Sequence, residues 1–144
     1  SREVPRMSAQ ATIQETEYGY RITFAGFVQQ DGAEKLLAAM QSNIRHRPGF
    51  SVLVDMRASR AFPAEAQEIV KKAIFFCREA GMERNVVVLD SAIAALQARR
   101  LARETGIGDW IRYIDASSSP DWESVALAWL ERGIDPDLDS DGAA

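Results

Sequence analysis

Between Thr12 and Val28 the chain alternates. Ile13, Glu15 and Glu17 share one parity, and Tyr20, Ile22, Phe24 and Gly26 follow after Gly19. A period of two belongs to half-buried strands, and the break at Tyr18-Gly19-Tyr20 divides the stretch into an antiparallel hairpin. The step then changes to three and four: Ala33, Leu36, Leu37, Met40 and Ile44 predict a helix from Asp31, as its cap, to about Arg45. "HRPG" (46–49) ends it, because Pro48 cannot continue the ladder. "FSVLVDM" (50–56) is a short apolar run between turn residues, a buried strand, followed by a loop holding Arg57, Ser59 and Arg60. Pro63 suits the first position of the next helix. There Ala66, Ile69, Val70, Ala73, Ile74 and Cys77 form the clearest helical stripe in the chain, and Gly81 stops it. "NVVVLD" (85–90) is another strand; Ser91 caps a helix to about Thr105, and Gly106 ends it. "WIRYID" (110–115) is the third strand closing on an aspartate. In the last helix Ser119 is the cap, Pro120 the first residue, and Asp121 and Glu123 lie in the first turn. Its apolar face is Trp122, Val125, Ala126, Trp129 and Leu130.

The resulting order is β-β-α-β-α-β-α-β-α, an α/β fold whose repeated strand–helix units require a mostly parallel sheet, made mixed by the first hairpin. One domain over 11–133 is expected, with a flexible lead-in at 1–10 and a disordered acidic tail at 134–144.

Composition narrows the classes. Of 144 residues 47% are apolar and 26% charged, so the chain can bury a core without staples. No apolar run approaches the ~20 residues of a membrane span, and no secretion signal is seen. The single cysteine, Cys77, lies in a helical apolar stripe, which fits a reducing cytoplasm. The stretch 133–144 holds four aspartates and no Lys or Arg; without them the chain has 17 residues of each sign. No basic field exists to hold nucleic acid by counterion release.

Asp55, Asp90 and Asp115 are expected at the carboxyl ends of three strands, where open α/β sheets gather ligands. They invite two readings: oxygen ligands for a hard cation, or acceptors that cap the turns that follow. A phosphoacceptor site of the receiver type does not fit, since "GFVQQD" and "DASSSP" stand where its acidic pair and lysine belong. With Arg57, Ser59 and Ser91 the aspartates make up the candidate ligand-binding set. Arg99, Arg100 and Arg103 crowd one helix, as a solvated face or a small anion patch. Phe75 points away from its helix's stripe and Phe76 lies at its margin; with Phe62 they suggest an apolar interface, first for a homodimer, then for an apolar ligand. Trp110, Trp122 and Trp129 are core or pocket anchors. Catalytic inventory is thin: His46 is the only histidine, and one His and one Cys cannot build the usual zinc site. "GIGDW" (106–110) reads as helix stop and turn, not a phosphate loop. No cofactor, metal or catalytic residue is assigned.

The hairpin, "FSVLVDMR", "ERNVVVLDS" and above all "WIRYIDASSSPDWESVALAWL" resemble the SpoIIAA-like fold, which includes STAS domains and small STAS/SEC14-type proteins. The resemblance spans about residues 12–133. It implies a regulatory or binding module acting through protein–protein contact; its SEC14 side implies a carrier of a small apolar or lipid-like ligand. STAS antagonists place a switch serine in an Asp-Ser-Ser/Thr-Gly stretch beyond the aspartate-bearing strand. Here that place reads "PAEA" (63–66), so the switch is not carried over. The reading is thus a non-catalytic cytoplasmic module that self-associates or binds a protein partner, with an apolar small molecule as the alternative ligand, no nucleic acid and no integral membrane segment.

Overall fold

The computed structural model describes residues 11–60 and 63–137. Nine elements follow one another: β1 (Ala11–Glu15), β2 (Gly19–Gly26), α1 (Gln30–Asn43), β3 (Phe50–Ser59), α2 (Ala64–Ala80), β4 (Met82–Leu89), α3 (Ala92–Thr105), β5 (Ile111–Asp115) and α4 (Trp122–Arg132). This is the expected order. The five strands form one sheet in the order β1-β2-β3-β4-β5. β1 pairs antiparallel with β2, and every other pair is parallel.

Strands that advance steadily across the sheet through right-handed crossovers place their connecting helices on one side. The packing agrees. Leu36 and Met40 of α1, Ala73 and Cys77 of α2 and Ala102 of α3 share one buried cluster with Tyr20, Ile22, Val52, Val54 and Val87. Among the described residues α4 is the one helix on the other face: Ala126, Trp129 and Leu130 pack on Leu53, Val86, Val88 and Ile114. Val86, Val87 and Val88 therefore divide between two cores, the reason a central parallel strand reads as an unbroken apolar run. α4 packs on β3, β4 and β5. Beyond its reach β1 and β2 turn the polar side chains of Thr12, Gln14 and Thr23 outward, which is why the hairpin alternates while the later strands do not.

Several boundaries differ from the sequence reading. Asp31 is not a cap; Gln29 holds that position without a side-chain capping bond, and Asp31 lies in the first turn. Pro63 is the N-cap of α2 rather than its first residue. α4 starts at Trp122 behind Asp121; Ser119 and Pro120 belong to the preceding turn, in which the Trp122 amide donates to the Ser119 carbonyl at 3.1 Å. Ser91 caps α3 as expected, accepting from the Ala94 amide at 3.1 Å, and Gly81 and Gly106 close α2 and α3 in the left-handed conformation. β3 runs on to Ser59, through the supposed loop, because Ala58 and Ser59 keep pairing with Ala25 and Gly26 after a register shift. Of the expected lead-in and acidic tail, 1–10 and 138–144 lie outside the described residues; within Ile134–Asp137, Asp135 accepts from Arg112 at 2.8 and 3.0 Å.

Candidate functional site

The extension of β3 moves Asp55 from a strand tip into the body of the sheet, opposite Thr23 on β2 and Val88 on β4. Its parity is that of Leu53, so it faces α4. Arg57 grips it in a fork, Nε to Oδ1 and Nη2 to Oδ2, both at 2.9 Å, and the Arg57 amide donates to Oδ1 at 3.1 Å. Arg21 adds a bond to Oδ2 at 2.9 Å. Burial alone would raise the Asp55 pKa; the Arg57 and Arg21 bonds outweigh it and hold the carboxyl at about 2. The Arg57 guanidinium in turn lies 4.3 Å from the centre of the Trp122 ring, and Arg21 is 3.6 Å from Glu123. Asp55 is thus the hub of a latch that ties β2 and β3 to the start of α4. Its oxygens are occupied by the protein itself.

The other expected ligands disperse. Asp115 follows Ile114, which faces α4, so Asp115 points to the opposite side. There it accepts from the hydroxyls of Ser117 and Ser118 and from the Ser117 amide at 2.9 Å. Those hydroxyls hold its pKa below the ordinary carboxylate value. Asp90 is exposed just after β4, within electrostatic reach of Arg57. Ser59 donates to the Met56 carbonyl at 2.9 Å, and Ser91 is the α3 cap. Among the described residues no three His, Cys, Asp or Glu side chains gather as metal ligands. The shared acidic rim is therefore split between two faces of the sheet, because consecutive strand residues point opposite ways. Phe75 is 48% exposed. Phe76 is half-buried, its ring edge-on to His46 at 5.8 Å, and Phe62 lies outside the described residues. Arg99 is no solvated charge: it donates to the Tyr113 carbonyl at 3.0 Å and lies 3.6 Å from Asp137.

Between the sheet and α1 and α2 lies a cavity of about 190 Å³. Phe24, Val54, Met40, Ala73 and Cys77 are among its walls, and no Asp, Glu, Lys or Arg lines it. α1 and α2 pack on each other, whereas among the described residues no Cα of α2 lies within 8 Å of one of α3. Four lining residues, Met56, Val70, Ile74 and Tyr113, keep partial exposure, so the cavity opens through the gap between α2 and α3. Burial pushes the Cys77 thiol up to about 12, and it raises the Tyr113 phenol too. Both stay protonated at neutral pH, and the chamber is uncharged.

No protein-family model matches the chain, and no curated protein does. Among solved structures it is similar to an uncharacterised protein of the DUF3478 family, with a SpoIIAA-like fold, from Shewanella loihica PV-4. That similarity has a TM-score of 0.60 and 15% identity, over 83% of this chain and 91% of the other. The chain has the SpoIIAA-like fold. In this SpoIIAA-like domain the place compared with the switch serine, 63–66, is the N-cap and opening of α2, where no side chain carries a hydroxyl. No helix among the described residues is long and apolar enough to cross a membrane.

Sequence reasoning missed the chamber, because its walls come from six elements and each residue reads as ordinary core. It missed Asn85 too, which lines the chamber. The signal was present: a polar amide heads the run "NVVVL". What was hidden is that β4 begins earlier, at Met82, so that Asn85 sits within the strand opposite Val52 and Ile111.

Proposed function

We propose that this protein is a non-catalytic binding module that carries a small apolar ligand in the chamber between its sheet and α1–α2. The chamber itself carries the reading: about 190 Å³ of space with apolar walls and an opening beside α3. An apolar cavity of about 150 Å³ in a protein core stays dry and takes up benzene. The groups with nucleophilic or basic chemistry support a carrier rather than an enzyme. Cys77 is buried with its thiol pushed up, and His46 packs against Phe76. Organic extraction of the purified protein, followed by mass spectrometry, tests the idea, and the reading expects a released small molecule. Ala73→Leu, which fills part of the space, should abolish uptake and leave the empty protein as stable as the parent or more so. Unchanged uptake in Ala73→Leu would remove the chamber as the binding place.

A second reading, contact with a protein partner or a second copy, rests on a separate observation. Phe75 on α2 and Ile93, Leu96 and Leu101 on α3 are 48–69% exposed.

A further inference from the structure

Asn85, a residue of the chamber wall, carries a buried acceptor with no partner among the described residues. Asn85 is 1% exposed. Its Nδ2 donates to the Val52 carbonyl at 3.0 Å, its amide donates to the Trp110 carbonyl at 2.8 Å, and its own carbonyl accepts from Trp129 Nε1 at 3.0 Å. Its Oδ1 is buried and has no partner among the described residues. The amide cannot simply be turned over, because the Val52 carbonyl accepts only and needs the NH2 side. A buried acceptor left unmatched is costly, and such groups are rare unless something else supplies the donor. The rest of the wall excludes an ion: with no charged side chain present, a charged guest would lose its hydration without a counter-charge. Volume sets the size. The space exceeds what benzene fills and admits a one- or two-ring molecule whole.

We propose that the ligand is a neutral molecule of one or two rings carrying a single N–H or O–H donor, and that Asn85 Oδ1 accepts that donor. This rests on the carrier reading above and narrows it from any apolar guest to donor-bearing ones. Asn85 is then the selective element of a site whose other walls are apolar apart from the Tyr113 phenol and the Cys77 thiol. A site built around a buried polar group rejects an analogue that lacks the matching group far better than apolar walls reject a change in size.

The test uses indole and its carbocyclic near-isostere indene, titrated calorimetrically into the full chain after solvent extraction. Indole should bind about tenfold more tightly than indene. Asn85→Leu, of similar shape, should lose that preference while still binding indene. The side-chain amide resonances of Asn85 should shift on adding indole and stay unmoved with indene, a readout that holds even if Asn85→Leu fails to fold. If both compounds bind the parent equally, with unmoved Asn85 resonances, Oδ1 is satisfied by a trapped water. The donor inference then falls while the carrier reading stands. An indole preference that persists in Asn85→Leu overturns it in the same way. If neither compound binds, both readings fall together.

Discussion

Asp55 shows how one side chain changes meaning once its neighbours are known. A carboxylate at a strand end invites a cation, but this one is buried and already answers two guanidinium groups. Its folded pKa of about 2 lies below the ordinary value of 3.8, so the latch stabilises the fold fully above the ordinary value and loses that contribution as pH falls towards 2. The shift corresponds to about 2 kcal/mol. Asp55→Asn leaves Arg21 and Arg57 without their anion and should cost about 3 kcal/mol at pH 7 in urea unfolding. Because the parent loses its own Asp55 contribution in acid, the gap between parent and variant should narrow between pH 5 and pH 2.5. A gap independent of pH would mean that the charge of Asp55 does not drive the latch. Arg57 stood beside Asp55 in the candidate set, as a ligand contact and not as its partner. Arg21 was not in that set, because only the parallel pairing of β2 with β3 brings it alongside.

At the scale of elements, helix ends were readable where one residue determines the geometry. Gly81 and Gly106 end α2 and α3 with φ of +117° and +82°, where any side chain is strained. Their surroundings differ. A Cβ at Gly81 would stand 1.8 Å from the Arg47 carbonyl oxygen, whereas nothing lies within 4 Å of one at Gly106. Gly106→Ala should therefore cost about 1 kcal/mol, the strain alone. Gly81→Ala should cost about 3 kcal/mol or more, since the 46–49 turn must move as well. Equal losses in chemical denaturation would show that the close approach of Arg47 is unimportant. Helix starts were less legible, as at α1 and α4, because several residues near each start qualify as caps and packing chooses among them. α4 starts at Trp122, where Arg57 lies over the ring and Arg21 reaches Glu123. Those are contacts across the sheet, which no local pattern reports.

For the whole molecule, the arrangement leaves α3 the least covered helix. Ala95 and Ala102 are its buried residues, while Ile93, Leu96 and Leu101 remain exposed. If the protein-contact reading holds, the parent sediments as a dimer and Phe75→Asp as a monomer, by light scattering or ultracentrifugation. An unchanged mass for a dimeric parent removes Phe75 from the interface. Arg112 stacks 4.3 Å from the Trp129 ring centre and pairs with Asp135, which joins residue 135 to the body, a contact that the acidic composition of 134–137 does not report.

The sequence by itself determined the order of strands and helices, the mixed parallel sheet and the placing of most apolar side chains. Those follow from periodicity and from the chemistry of glycine and proline, which act over a few residues. Only the tertiary structure decided that Asp55 and Asp115 face opposite ways, that Arg21 meets Asp55, and that a chamber opens beneath α1 and α2 with Asn85 in its wall. Strand register and the spacing of packed helices set those relations, and both arise from contacts between residues far apart in the chain.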